Sequence, residues 1–598
     1  MDDQNKNLIL ATALSFAVIL VWFLLFPPPE QPAPDAPTTT AETVDGGPIV
    51  SPSAAPDTPI TTTSDVSAEN SPRIAIDTPR LTGSISLLGG RIDDLQLKDY
   101  TETIAPNSEI VHLFNPAGGD QSYYALHGWA PGSGLEFSDV PGPSTEWQVE
   151  GEPTLTPDTP VTLSWESPAG LTFRRTLSVD ADYMFTVTQE VANGSGDAVS
   201  LAPYGLIARH GEPENAKNFF ILHEGAIVMS DGTLTETSWD DLTELDTDAA
   251  EGGPAEIIDV TENGWIGFTD HYWMATLIPQ AGTPFRAVEK YDTARDIYQT
   301  RAQLPTMTLA AGEASQVATR LFAGAKEWEV IRDYQKGGVD RFVDSIDWGW
   351  FFFLTKPIFW VLHHLNLLIG NMGIAIISLT LLIKALLFPL AYKSYVSMAK
   401  MKELQPEMEK LKERAGDDRE ALQKGMMELY KKNKVNPASG CLPILLQIPI
   451  FFSLYKVIFV TLELRHAPFF GPFQDLSAPD PTSIMNGFGL FPWGVPEPGS
   501  LLALAFIGIL PLLLGISMWL QQKLNPAPAD PTQQMIFAWM PWVFMFMLGG
   551  FASGLVVYWI ANNTITFTQQ YLIMRSQGMK PDVFGNIKKS FKKKSAEK

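Results

Sequence analysis

The chain has 598 residues, a formal net charge of −25 and one cysteine, Cys441. This length exceeds one typical domain, the acidic balance argues against nucleic acid as the main partner of the whole chain, and the lone cysteine excludes an intrachain disulfide and clustered-cysteine zinc sites. Apolar residues make up 45% but are unevenly spread. From about Trp348 the chain is dense in Phe, Leu, Ile, Met and Trp, whereas the middle is mixed, polar and acidic.

Residues 1–26 contain the apolar run Leu8–Phe26, followed by Pro27-Pro28-Pro29-Glu30. The run is longer than a typical signal-peptide core and no small-residue cleavage site follows, so it reads as an uncleaved membrane anchor. Residues 27–72 are rich in Pro, Thr, Ala, Ser and Asp and read as a disordered linker, because they cannot bury a core. Residues 73–325 carry short β-like runs broken by Gly, Pro, Asn and Asp. Ile85–Leu97, Trp265–Ile278 and Leu171–Val191, the last alternating around Asp180-Ala181-Asp182, read as strands and turns. A large outer all-β sandwich is expected. Trp129, Trp147 and Trp165 either line a sugar or peptide cleft or pack the sandwich, and packing is the preferred reading.

Within 326–371, Glu327–Val343 reads as a helix. Trp348–Leu368 reads as an amphipathic helix lying in the membrane interface with aromatics at headgroup depth, started or kinked by Pro357. His363 and His364 read as interfacial polar residues rather than metal ligands, since no carboxylate lies at helical spacing. Gly370-Asn371 then turns the chain.

Met372–Leu390, MGIAIISLTLLIKALLFPL, is long and apolar enough to cross a bilayer. It holds one full charge, Lys384. A charge at mid-membrane costs roughly 2.5–3.5 kcal/mol on insertion scales and by default marks function. From position alone two readings stand: an ammonium in a polar cavity, or one that snorkels to headgroups or pairs with a structural acid. Thr380, four residues earlier, shares its helix face. The span is taken as residues 372–392.

Residues 393–437 read as a cytoplasmic antiparallel helical hairpin. Met398, Met401, Leu404, Met408 and Leu411 form one apolar stripe, Ala415-Gly416 breaks it, and Asp417 with Glu420 has the spacing of a capping box. Further spans are expected at 438–463, 501–520 and 535–575, the last being two spans joined by a tight turn near 549–554. That gives six spans. The hairpin and the tail 576–598 are rich in Lys and Arg and should be cytoplasmic, with 521–534 a cytoplasmic loop. The loop 464–500 has Arg465 as its one Lys or Arg and belongs outside with the β domain. Both termini then lie in the cytoplasm. No H-E-x-x-H, G-x-S-x-G or P-loop pattern occurs, so no enzymatic activity, cofactor or metal is expected.

Four stretches of the C-terminal half resemble the YidC/Oxa/Alb family of membrane protein insertases: SMAKMKELQPEMEKLKE (397–413), MMELYKKNKVNPASGCLPILLQIPIFFSLY (426–455), LRHAPFFGPFQDLSAPDP (464–481) and FASGLVVYWIANNTITFTQQYLI (551–573). The anchor, linker and outer β domain resemble the Gram-negative form of that family. The resemblance implies a β-supersandwich outer domain and five spans around a water-filled groove in the bacterial inner membrane. It also implies a lone basic residue in that groove, at the position of Lys384, where most relatives carry Arg. Lys keeps the charge but loses the guanidinium fork. Thr380 and Trp559 match other groove positions, and Phe451 matches a region that contacts client helices. Gln447 and Asn562 are added as polar residues inside spans, with interhelical hydrogen bonding as the alternative. The implied partners are client membrane proteins as nascent chains, and the Sec translocon with its accessory components. The basic tail suits ribosomal RNA or anionic lipid. Two readings from other classes are a secondary transporter using Lys384, for which no internal repeat is visible, and a membrane-anchored envelope glycan-binding protein.

Overall fold

Alternating apolar and polar residues build the acidic middle of the chain into two facing β-sheets. The computed structural model describes residues 71–578 except 120, 215, 217–221, 417, 434–441, 492, 495, 497–501, 503–506 and 526–530. The expected anchor, and nearly all of the expected linker and basic tail, lie outside the described residues.

Among the described residues one sheet has twelve strands and the other nine. The expected pairs form. Strand Leu171–Val179 runs antiparallel to Met184–Asn193 with Val179 opposite Phe185. The turn between them is fixed by Asp180, whose Oδ1 accepts from the amides of Asp182 (2.9 Å) and Met184 (3.1 Å). Such Asx turns let a short side chain stand in for the backbone. Ile85–Leu97 falls on the antiparallel strands Leu81–Ser86 and Arg91–Thr101, and Trp265–Ile278 on Gly264–Thr269 and Trp273–Pro279. Between the first pair, Gly89 has φ 76°, and a Cβ there would meet the Pro143 carbonyl oxygen at 2.6 Å. Only glycine fits both constraints.

Residues such as Ile85, Leu177, Phe185, Val187, Leu277 and Phe322 fill the space between the sheets, fully buried. Trp129 and Trp147 are buried there too, and Trp165 packs half-buried against Phe173 with ring centroids 5.7 Å apart. All three tryptophans therefore pack the sandwich.

Helix α1, Trp328–Lys336, is shorter than the expected Glu327–Val343. Gly337-Gly338 stops it, Gly338 adopting φ 99°, and a separate 3₁₀ turn follows at Phe342–Ser345. Helix α2, Phe352–Ile369, ends at Gly370, whose left-handed φ of 72° closes the helix and whose N–H donates to the Asn366 carbonyl. Asn371 then caps α3, Met372–Leu386: its Oδ1 accepts from Ile374 N (3.0 Å) and its Nδ2 donates to Phe469 O (2.8 Å). The apolar run continues in sequence to Leu390, but the helix ends at Leu386. The chain bends by 70° into α4, Phe388–Glu403, whose first turn accommodates Pro389 because that amide would have no partner there.

Helices α5, Gln405–Ala415, and α6, Arg419–Lys432, pack on one another, with Leu411 of the first lying on Gly425 of the second. Asp417 lies outside the described residues. The cap of α6 is its neighbour Asp418, whose Oδ1 accepts from Glu420 N (3.1 Å) and Ala421 N (3.0 Å). Four more helices follow: α7 (Leu442–Val460), α8 (Ile509–Leu524), α9 (Pro531–Met547) and α10 (Ser553–Ser576). Helix α10 packs on α3, α7 and α8, and α2 packs on α3 and α7. Among the described residues Phe352–Ile369 is the one helix long and apolar enough by itself to cross a membrane, and α3 with α4 passes that test only as a bent pair.

The sandwich and its exit segment are fastened to the C-terminal end of α7. His271 Nε2 donates to the Phe459 carbonyl at 2.7 Å, and its ring stacks on Phe459 at 4.9 Å. Lys456 pairs with Asp347, which also accepts from His223 N at 2.9 Å. Arg465 donates to the Thr101 carbonyl at 2.6 Å. His363 on α2 lies between Glu463 and Glu329, the latter 3.3 Å from its Nε2. Carboxylate partners absent at helical spacing thus arrive from α1 and from the turn after α7.

Candidate functional site

Three helices bring the candidate polar residues together. Lys384 lies in the last turn of α3 and is half-buried. Its Nζ donates to Gln447 Oε1 of α7 at 3.2 Å, and Gln447 Nε2 donates to Asn562 Oδ1 of α10 at 2.7 Å. Gln447 also hydrogen-bonds Tyr558, one turn back on α10. Gln569, seven residues after Asn562, donates to the Lys384 carbonyl at 3.4 Å. One chain of hydrogen bonds therefore links α3, α7 and α10. Among the described residues no carboxylate pairs with Lys384. An ammonium has three donors, and one neutral amide oxygen satisfies one of them.

Phe451 and Trp559 form an apolar neighbour to this chain, one turn from Gln447 and from Asn562 respectively. Their rings stack at 5.8 Å with an interplanar angle of 15°. Trp559 is 9% exposed, so it is mainly a packed wall. Thr380 stands apart. It is 2% exposed, and its hydroxyl donates to the Ile376 carbonyl of its own helix at 2.7 Å. It joins neither the polar chain nor the aromatic stack through a hydrogen bond among the described residues.

Sequence reasoning missed Gln569, Tyr558 and a second polar contact, Asn563 Nδ2 to Ser517 Oγ at 3.2 Å, which ties α10 to α8. Gln569 had a usable signal: it lies two turns beyond Asn562 and shares its face. Ser517 had none, because a serine in an apolar helix shows no partner until the partner helix is placed.

The family comparison decides what this arrangement belongs to. The family model described as YidC periplasmic domain matches residues 73–361, and the one described as 60Kd inner membrane protein matches residues 364–580. The chain belongs to the YidC membrane insertase family. Relatives carrying the name membrane protein insertase YidC include those of Ruegeria pomeroyi, 67% identical with 100% of this chain and 99% of the relative covered, and of Roseobacter denitrificans, 68% identical with the same coverage. The relative from Jannaschia sp. is 63% identical over the whole of both chains. The sandwich is thus the periplasmic domain of a YidC-family inner membrane protein, and residues 364–580 match the inner membrane protein part of the family. This is an insertase family, not an enzyme family.

Proposed function

We propose that this protein inserts and folds client membrane proteins through a polar groove lined by α3, α7 and α10. The single observation that carries the reading is Lys384, hydrogen-bonded to Gln447 and unpaired with any carboxylate among the described residues. A cation so placed is stabilised by water or by an arriving anion. A hydrated groove lessens the desolvation of a client's polar outer segment, and the ammonium attracts its acidic groups. The apolar client helix then leaves past Phe451 and the region near Phe544–Met547 into lipid. Burial in hydrocarbon supplies the driving force, and the membrane potential assists charged segments. No bond is made or broken.

Six spans with both termini in the cytoplasm complete this proposal, five of them forming the groove. In it the α5–α6 hairpin is a cytoplasmic lid that receives clients, the periplasmic domain meets the Sec translocon or its accessory components, and the basic tail touches the ribosome or anionic lipid. The burial of Trp129 and Trp147 supports this reading over a glycan-binding sandwich.

The test is insertion of a small client into liposomes holding only this protein, read by protease protection, for wild type, Lys384→Ala and Lys384→Arg. Loss in the Ala variant and retention in the Arg variant places the function in the positive charge. Equal activity in all three would reduce Lys384 to a snorkelling residue. A wild type no better than empty liposomes would remove autonomous insertion.

A further inference from the structure

The sixteen-residue stretch 481–496, PTSIMNGFGLFPWGVP, holds no Asp, Glu, Lys or Arg. Its residues 482–491 form a tight knot around Asn486, which is 5% exposed. Asn486 Oδ1 accepts from Ser483 N and Gly489 N, both at 2.9 Å, and its carbonyl accepts from Phe491 N at 3.0 Å. Phe488 sits at φ 59°, a left-handed conformation that bulky residues avoid. Strain of this kind persists where the surroundings over-determine it, and it gathers at functional places.

The knot turns its apolar side chains outward. Ile484 and Met485 are about half exposed, as are Phe491 and Trp493, and Leu490 is 86% exposed. The Phe491 and Trp493 rings stack at 4.6 Å, 8° from parallel. Trp493 Nε1 donates to the Met485 carbonyl at 2.7 Å, so the indole's one donor is satisfied without water.

Its place in the fold identifies what covers it. Ile509 N donates to Thr482 Oγ1 (2.9 Å), Leu510 N to Asp480 Oδ2 (2.8 Å) and Ile484 N to Ile507 O (3.1 Å), which ties the knot to the start of α8. That helix itself exposes Leu513 and Ile516. The patch therefore continues the apolar surface of the membrane part. It lies on the periplasmic side, because the same connection between α7 and α8 carries Arg465, bonded to Thr101 of the periplasmic domain.

We infer that residues 484–491 with Trp493 form a wedge inserted into the periplasmic leaflet, with Leu490, Phe491 and Trp493 at the boundary between headgroups and acyl chains. Uncharged aromatic-rich surface of this kind is what the interface selects. The wedge holds the outer end of α8 at a fixed depth, independently of the proposed groove.

The test uses the full chain in phospholipid vesicles with Cys441→Ser and a single nitroxide label at Leu490→Cys, an outward-facing position. A label at Glu152→Cys, exposed in the periplasmic domain, is the aqueous control. Insertion predicts that the label at 490 collides more with oxygen, which partitions into lipid, than with a water-soluble nickel complex, and that the control shows the reverse. Nickel accessibility at 490 equal to that at 152 would overturn the inference. Low accessibility to both reagents would also overturn it, since the knot would then be packed against protein. If labelling at 490 disturbs the knot, the same comparison at Ile484→Cys decides between these outcomes.

Discussion

Lys456, on the helix that carries Gln447 and Phe451, forms a buried ion pair with Asp347 of the segment leading out of the periplasmic sandwich. The Lys456 side chain is 7% exposed and that of Asp347 15%. The outer end of a helix lining the proposed groove is thus set by a carboxylate of the periplasmic domain's exit segment.

Removing one partner deprives a largely buried charge of its counter-ion. Asp347→Ala or Lys456→Ala is expected to cost about 3–5 kcal/mol at the junction, seen as faster hydrogen exchange in the last turns of α7 and as reduced client insertion. The double variant Asp347→Ala/Lys456→Ala should lose less than the sum of the two. A strictly additive result would show that the pair does not couple the two parts.

The hydrogen bond from Gln447 to Asn562 gives a second test. Gln447→Leu and Asn562→Leu should each lower insertion, and the double variant should fall little further than Gln447→Leu alone, because that substitution already breaks the link to Asn562 as well as the one to Lys384. Coupling of about 0.6 kcal/mol, the ordinary value for such bonds between membrane helices, would mark a structural contact. Insertion loss well beyond what such a coupling accounts for would mark a lining of the client path.

The stack of Phe451 on Trp559 should be worth about 0.5–1.5 kcal/mol beyond the area it buries. Phe451→Ala is expected to weaken crosslinking of a client helix to α7, while Phe451→Tyr retains it. Equal crosslinking by the Ala variant would confine Phe451 to packing.

A pH prediction comes from the periplasmic domain. Glu289 is fully buried and accepts a hydrogen bond from Thr237 Oγ1 at 2.7 Å. Burial pushes its carboxyl up to about 7. The native state therefore holds a proton that the unfolded chain releases near 4.3, so this group's contribution to stability falls as pH rises between about 4.5 and 7 and levels off above that window. Glu289→Gln removes the dependence. Hydrogen exchange of strand Phe285–Asp292 in the full chain should show the variant gaining protection relative to wild type from about pH 5 to about pH 8. A constant difference across that range would refute the shift.

Local signals were legible in the sequence and distant pairings were not. The turn at Asp180 and the stop at Gly370-Asn371 are written in adjacent residues. The cap of α6 is also local, yet the expected Asp417 lies one position before the cap, Asp418, which has the amides of Glu420 and Ala421 within reach. The early end of α1 is not legible because its apolar spacing continues past Gly337-Gly338. No acid partner of His363 is visible in the sequence around it, since Glu463 is one hundred residues away in the chain. Lys384, Gln447 and Asn562 could be nominated singly as polar residues in apolar runs. That they form one chain of hydrogen bonds depends on helix rotation, which periodicity alone does not fix.

The bend at Leu387 has a consequence for the surrounding lipid. Helix α3 has 15 residues, so it is about 22 Å long at 1.5 Å per residue, against a hydrocarbon layer of about 30 Å. A span that stops short obliges the bilayer to thin around it or its flanking side chains to reach outward. With α3 as a span of the proposed groove, the mismatch falls beside Lys384, at the end of α3 where the chain turns aside. In the proposed mechanism, a bilayer thinned there would lower the barrier that a client's polar segment crosses, alongside the charge of Lys384.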